Sequence, residues 1–206
     1  VPIDHFAEIN MIGFYDLATA LGGIQVCLNK AVNDRQYSGA VFPAGLQTIS
    51  GVDALKFVRQ RHGLPNGDLD RTHRQQAFLT GVITKFREQG IFGDISKVSA
   101  LLNVAKKNVV IDSGWDVLSF LPQASALTSG NITFHTLPIE GYVMRDGQSV
   151  NLVDEVKIQK LVQELFNPSP KKKKKKPSPT PTPTKINYAN LASGNAVDGS
   201  KIPCVN

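Results

Sequence analysis

Cysteine is scarce in this chain: of 206 residues only Cys27 and Cys204 are cysteines. Two thiols cannot supply a structural zinc site of the usual four-ligand kind. They can close one disulfide if the chain works in an oxidising compartment; the alternative is one buried thiol and one free thiol. Long apolar runs are also missing. None reaches the ~18 residues that a membrane-spanning helix needs, and no secretory signal starts the chain. Val1 is followed at once by sequence that reads as structured, so an upstream part is expected. Acidic residues are nearly absent from the end of the chain. Residues 171–206 hold eight lysines and one aspartate, a net of +7, whereas residues 1–170 hold 15 Lys and Arg against 16 Asp and Glu. The formal charge of +6 therefore belongs to the tail. With a net acidic body and no aromatic-basic stacking pattern, a nucleic-acid partner is excluded from the reading.

What is present alternates between helical and strand-like patterns. Residues 7–21 read as an amphipathic helix stopped by Gly22 and Gly23. Residues 24–28 read as a strand, and 29–49 as a polar connection turning at Pro43-Ala44-Gly45. Ser50 and Asp53 have the spacing of a capping box before a helix carrying Ala54, Leu55 and Val58. A long helix, capped by Asp68 or Asp70, runs to about Gly90 with Ala77, Phe78, Val82 and Phe86 as its apolar stripe. A helix over 95–106 with Asp94 as cap, a strand at 109–111, a helix over 114–128 and a strand over 131–137 follow. A hairpin turns at Asp146-Gly147, and a last helix covers about 154–166. Interleaved strands and helices predict an α/β domain, residues 1–167, with a central mixed sheet flanked by helices on both faces. Residues 168–184, six lysines between Pro/Ser/Thr repeats, predict a disordered linker. Residues 185–206 predict an extended tail with little capacity for a core.

The chemistry concentrates at residues 57–76. Four of the seven arginines lie there, Arg59, Arg61, Arg71 and Arg74, with Asp68, Asp70, His62 and His73. Arg59 and Arg61 are two apart, so in an extended segment both point to one side and Gln60 turns away. Arg71 and Gln75 are four apart at a helix start and share a face, with Arg74 near it. The helix start adds unpaired N–H groups and the positive end of the dipole. Planar guanidinium forks suit phosphate oxygens, so the set reads as a receptor for a pyrophosphate or phosphodiester. The competing reading is a solvated face on which these arginines pair with Asp68 and Asp70.

This stretch resembles the signature of the LytR-CpsA-Psr family, the wall-polymer ligases of Gram-positive bacteria. The resemblance rests on Ala54-Leu55, Arg59-Gln60-Arg61, Gly67-Asp68 and Arg71-Thr72-His73-Arg74-Gln75-Gln76. Upstream, Leu21-Gly22-Gly23-Ile24-Gln25-Val26 and the turn from Gly45 to Gly51 extend it, and it covers roughly residues 3–166 in order. The resemblance, of an actinobacterial type, implies a membrane-anchored phosphotransferase on the outer face of the plasma membrane, in the cell wall. It would move a glycopolymer of teichoic acid, capsule or arabinogalactan type from polyprenyl pyrophosphate onto a peptidoglycan acceptor. It implies that Arg59, Arg61 and Arg71 are catalytic, that Arg74, Gln75 and Asp68 join them on the pyrophosphate, and that Asp68 orients Arg71 or Arg61. The polyprenyl tail would enter an apolar tunnel, with Phe78, Val82 and the surroundings of Trp115 as possible walls. It further implies Mg²⁺, held by aspartates of an upstream segment that also carries a membrane helix. No metal ligand is assigned to this chain, and whether it turns over without that segment stays open. The alternative is a non-catalytic module that binds polyprenyl phosphate or wall polymer, or regulates wall metabolism.

Other features are weaker. His62 or His73 as a general base competes with a loop or surface histidine, the simpler assignment. Ile3-Asp4-His5-Phe6 is similar to a family motif and reads as a strand entry. The lysine run could bind anionic polymer or lipid head groups, and a solvated spacer is the plainer account.

Overall fold

The computed structural model describes residues 3–116, 119, 132–167 and 196–206, a mixed α/β structure. The chain divides into two compact units, one built from residues up to Phe134 together with Val197–Asn206, the other from His135–Ala196.

The larger unit is built on β2 (Ile24–Leu28). Ile24, Val26 and Leu28 have at most 1% of their surface exposed. Each contributes roughly 1.5–3 kcal/mol by leaving water. β5 (Gly45–Ile49) runs antiparallel to β2 along one edge, with Val26 opposite Gln47. β11 (Cys204–Val205) runs parallel along the other, with Cys204 opposite Cys27, making a mixed three-stranded sheet. A disulfide joins those two cysteines. The tail therefore differs from its expectation: Val205 is a core residue, and Asn29 donates its N–H to the Val205 carbonyl at 2.8 Å. Two-residue strands carry almost no pattern, and the pairing partner lies 177 residues away. β10 (Ala196–Asp198) pairs with β7 (Thr133–His135), and Gly199 donates to the Ile132 carbonyl at 2.8 Å.

The N-terminal helix starts later than its periodicity suggests. β1 (Ala7–Ile9) pairs antiparallel with β6 (Val109–Ile111), and α1 covers only Met11–Ala20. Asn10 makes the break, its side chain accepting from the Gly13 N–H at 2.8 Å as an N-cap. Before β1, His5 Nδ1 lies 3.1 Å from Asp112 Oδ1, and the same carboxylate accepts the Phe6 N–H. Asp4-His5 thus stands at a strand entry. The polar connection after β2 also holds more structure than expected, a hairpin of β3 (Val32–Asp34) and β4 (Ala40–Phe42) besides β5.

α2 (Gly51–Arg59) has Ser50 at its N-cap, but no side chain caps it. The expected capping box is not formed, and the Ser50 hydroxyl faces the Ala18 carbonyl at 3.5 Å. α3 (Asp68–Glu88) crosses β2 at Gly81, where an added Cβ would collide with the Gln25 carbonyl and the Ile24 side chain. A short 3₁₀ turn, Ile91–Gly93, leads into α4 (Ile95–Ala105), capped by Asp94 through the Ser96 and Lys97 N–H groups. The helix expected over 114–128 lies almost wholly outside the described residues, as does the linker 168–184.

In the smaller unit β8 (Gly141–Arg145) and β9 (Gln148–Leu152) form the expected hairpin. Asp146 and Gly147 both have positive φ, 49° and 76°, as a type I′ turn requires. α5 (Glu155–Phe166) follows, capped by Asp154. Among the described residues no helix is long and apolar enough to cross a membrane.

Two outcomes test this arrangement. Gly81→Ala should destabilise the protein by about 1–3 kcal/mol, read from denaturant midpoints, because α3 cannot move off β2 without opening the core. Mass spectrometry of the alkylated, non-reduced protein should find neither Cys27 nor Cys204 labelled; label on both would contradict the tail's placement.

Candidate functional site

Three of the expected residues meet at the start of α3. Asp68 Oδ1 lies 3.2 Å from Arg71 Nη2 and 3.7 Å from Arg61 Nη1. One carboxylate thus holds two guanidinium groups from two different segments. Both arginines remain accessible, with 62% of the Arg61 side chain and 36% of that of Arg71 exposed. Pairs this open to water are individually weak. Their use here is to set the direction of two cations that keep free donors. Gly67, at φ 50°, takes the N-cap position of α3, and no side chain caps the helix. Neither Asp68 nor Asp70 is the cap, contrary to expectation. The helix start therefore has no side-chain cap beside Arg61 and Arg71, although the Leu69 N–H is taken by the Asn66 carbonyl at 3.1 Å and Asp68 and Asp70 lie in the first turn.

Arg59 is also exposed, but it is still helical, the final residue of α2. The extended pair expected at 59 and 61 is therefore split at the helix end, because α2 keeps its hydrogen bonds through Gln60, whose N–H reaches the Lys56 carbonyl at 2.9 Å. Gln75 shares the exposed face with Arg71, and its Nε2 donates to the Val58 carbonyl of α2 at 3.3 Å.

Arg74 corrects the expectation most clearly. It has no exposed surface. Its Nε donates to the Asn206 carbonyl at 2.5 Å and its Nη1 to Gln60 Oε1 at 2.6 Å, while its Cζ stands 5.1 Å from the centre of the Phe57 ring. Burial pushes the guanidinium down to about 10, against the opposing pull of Asp70 and Asp34. It stays charged at neutral pH and faces inward.

The histidines are set apart in the same way. The exposed His62 stacks on Tyr37, ring centres 3.8 Å apart. His73 is buried, its Nδ1 3.9 Å from Asp70 Oδ1. Asp70, only 1% exposed, accepts from the Asn66 N–H at 3.0 Å and from Asn66 Nδ2 at 3.2 Å, tying the loop back onto the helix. Burial works to raise the Asp70 carboxyl, but His73 and the two Asn66 donors outweigh it and hold it below the usual range. Two residues missed in the sequence are thus Gln60 and Asn66. The signal for Gln60 was its place between two outward arginines, which turns it inward.

Phe78, a candidate tunnel wall, belongs to the core and packs on Phe14 with ring centres 4.9 Å apart; Val82 packs partly buried against that core. Trp115 stacks on His5. Among the described residues no group of three or more His, Cys, Asp or Glu side chains could hold a metal ion. A cleft of about 490 Å³ in the smaller unit, between Pro138–Glu140 and α5, holds none of these arginines, and its Lys157 is paired with Glu140 at 2.6 Å.

The fold is mixed α/β, and a helix start without a side-chain cap lies at its surface beside Arg61 and Arg71. Residues 1–167 match the model of the LytR_cpsA_psr family, and the chain belongs to that family. It is 43% identical over 166 residues to the cell wall biosynthesis protein LcpA of Corynebacterium glutamicum, covering 80% of this chain and 32% of that protein. It is 30% identical over 167 residues to the polyisoprenyl-teichoic acid–peptidoglycan teichoic acid transferase TagU of Enterococcus faecalis, covering 81% and 53%. The crystal structure of Bacillus subtilis TagU superposes with a TM-score of 0.57 at 26% identity, over 85% of this chain and 69% of that one. The chain thus spans about a third of the length of LcpA and about half that of TagU.

The buried carboxylate gives this site a pH signature. A folded-state value held below the unfolded one adds stability above the unfolded range and loses it as pH falls through the folded value. Asp70→Asn should therefore lower stability at neutral pH and flatten its fall on acidification, seen in urea midpoints measured from pH 7 down to about 3.

Proposed function

We propose that the chain carries the pyrophosphate-binding part of a phosphotransferase that attaches lipid-linked glycopolymers to peptidoglycan. The observation that carries this reading is the pairing of Arg61 and Arg71 through Asp68 at the uncapped start of α3, with Arg59 and Gln75 exposed beside it. Phosphoryl transfer asks a protein mainly for placement and for stabilisation of charge on the phosphate oxygens. Two guanidinium groups and a helix start offer both. In the proposed step a peptidoglycan hydroxyl attacks the phosphorus next to the glycan. The bond from that phosphorus to the bridging oxygen breaks, polyprenyl phosphate leaves and takes up the hydroxyl's proton, and the glycan stays joined through a phosphodiester. Arg59, Arg61 and Arg71 would bind the two phosphates and spread the growing charge, and Asp68 would keep Arg61 and Arg71 aimed. Mg²⁺ remains part of the reading through family resemblance, with no ligand among the described residues and no step assigned to it.

The relatives' names, cell wall biosynthesis protein and teichoic acid transferase, support a substrate of wall-polymer type. The Cys27–Cys204 disulfide supports a place outside the plasma membrane, where thiols oxidise. Membrane anchoring and the outer face of the membrane belong to the same proposal.

Arg59→Ala and Arg71→Ala should each weaken binding of a polyprenyl pyrophosphate by about 10–100-fold, the loss of one charge-assisted contact. Circular dichroism should be unchanged, since both side chains are on the surface. Calorimetric titration checks this, and unaltered affinity in both variants would overturn the site. Binding without transfer to peptidoglycan in the intact protein would instead favour a binding module.

A further inference from the structure

The site's two arginine-bearing segments are joined beneath the surface by a residue that cannot reach a ligand. Arg74 lies on α3, three residues after Arg71 and one before Gln75. Its Nη1 bond to Gln60 Oε1 crosses to the segment that carries Arg59 and Arg61. Gln60 is itself only 1% exposed, and its Nε2 donates to the His62 carbonyl at 3.0 Å. The amide is thus used at both ends, with its oxygen on the guanidinium and its nitrogen on the loop backbone. Reversing it would set donor against donor and acceptor against acceptor. The second bond of Arg74, from Nε to the Asn206 carbonyl, reaches a different part of the chain. That carbonyl follows Val205, which is held by the ladder with β2, by the Asn29 N–H and by the disulfide at Cys204.

From this geometry we infer, on the reading of the surface site given above, that Arg74 is a positioning residue. Together with Gln60 and the docked segment Cys204–Asn206, it sets the spacing between the Arg59/Arg61 segment and the Arg71/Gln75 helix start. A lysine in its place keeps the charge but cannot present two donors at fixed angles to two acceptors. Its failure would therefore report geometry and not charge. The two side chains and the Asn206 carbonyl act as one unit, so the effects of removing them should not add up.

The test uses the full chain and geranylgeranyl pyrophosphate as the probe, with hydrogen exchange followed at the Gln60 and Arg71 N–H groups. These two amides close the last turn of α2 and the first turn of α3, on the Lys56 and Gly67 carbonyls. Arg74→Lys and Gln60→Leu should each weaken probe binding by about tenfold or more and speed exchange at both amides. The double variant should be no worse than the weaker single one. Cys204→Ser, which removes the disulfide holding the tail while leaving every residue of α2 and α3 in place, should shift the same two amides in the same direction. Loss of affinity in Arg74→Lys alone, with Gln60→Leu binding normally and exchange unchanged, would mean that Arg74 meets the ligand, and would overturn the proposal. So would normal affinity in both. A wild-type chain that does not bind the probe would sink the pyrophosphate reading instead. Exchange alone would then decide the spacing role, kept if both amides speed up and lost if they do not.

Discussion

A guanidinium group with no exposed surface needs acceptors and negative charge around it, or the fold around it fails. At Arg74 these come from four directions. Gln60 arrives from the end of α2 and Asn206 from the strand at the sheet edge. The Phe57 ring lies beneath, and Asp70 and Asp34 supply the counter-charge. No two of these residues are neighbours in sequence. The larger unit can bring all of these groups to this one side chain only when α2, α3, β3 and the tail strand are in their places together. A charge buried this way is weak evidence for stability but strong evidence for a unique arrangement of the parts it touches.

The surface site is a by-product of that arrangement. α3 has to start where it does for Arg74 to meet Gln60, and its start then exposes an uncapped turn flanked by Arg61 and Arg71. Burial and exposure divide the four clustered arginines by role. One is enclosed and bonds to the segment that carries two of the others. Three reach solvent. Asp68 belongs to the open set, where its pairs are cheap to loosen, and Asp70 to the enclosed set, where its contacts are not.

Much of this was legible in the residues. Helices with strong caps, such as those at Asp94 and Asp154, and the Asp146-Gly147 turn read correctly because each signal is local and chemical. The shared face of Arg71 and Gln75 at a helix start followed from spacing, whereas Asp68 as the group that aims Arg61 and Arg71, and the ligand they serve, came from family resemblance. What failed depends on distant partners. Residues 7–9 look helical, yet pair with Val109–Ile111. Arg74 shares its helical neighbourhood with Arg71, and nothing local says that one points out and the other in. That decision is made by Asn206, 132 residues away. The short strands β3, β4 and β11 lack enough residues to show a period.

The register of Cys204 against Cys27 has a consequence for how the molecule comes into being. The two positions are separated by 177 residues, so the third strand of the sheet closes a very long loop. The entropy of closure grows only slowly with length, but contacts of this range form late. Until the tail strand docks, β2, β5, α2 and α3 can assemble only without it. Over that interval Arg74 lacks its Asn206 acceptor and the edge of β2 lies open. Such an edge is a template for pairing with other chains. The docking of three residues, Cys204–Asn206, covers the sheet edge and brings the arginine its Asn206 acceptor in one event.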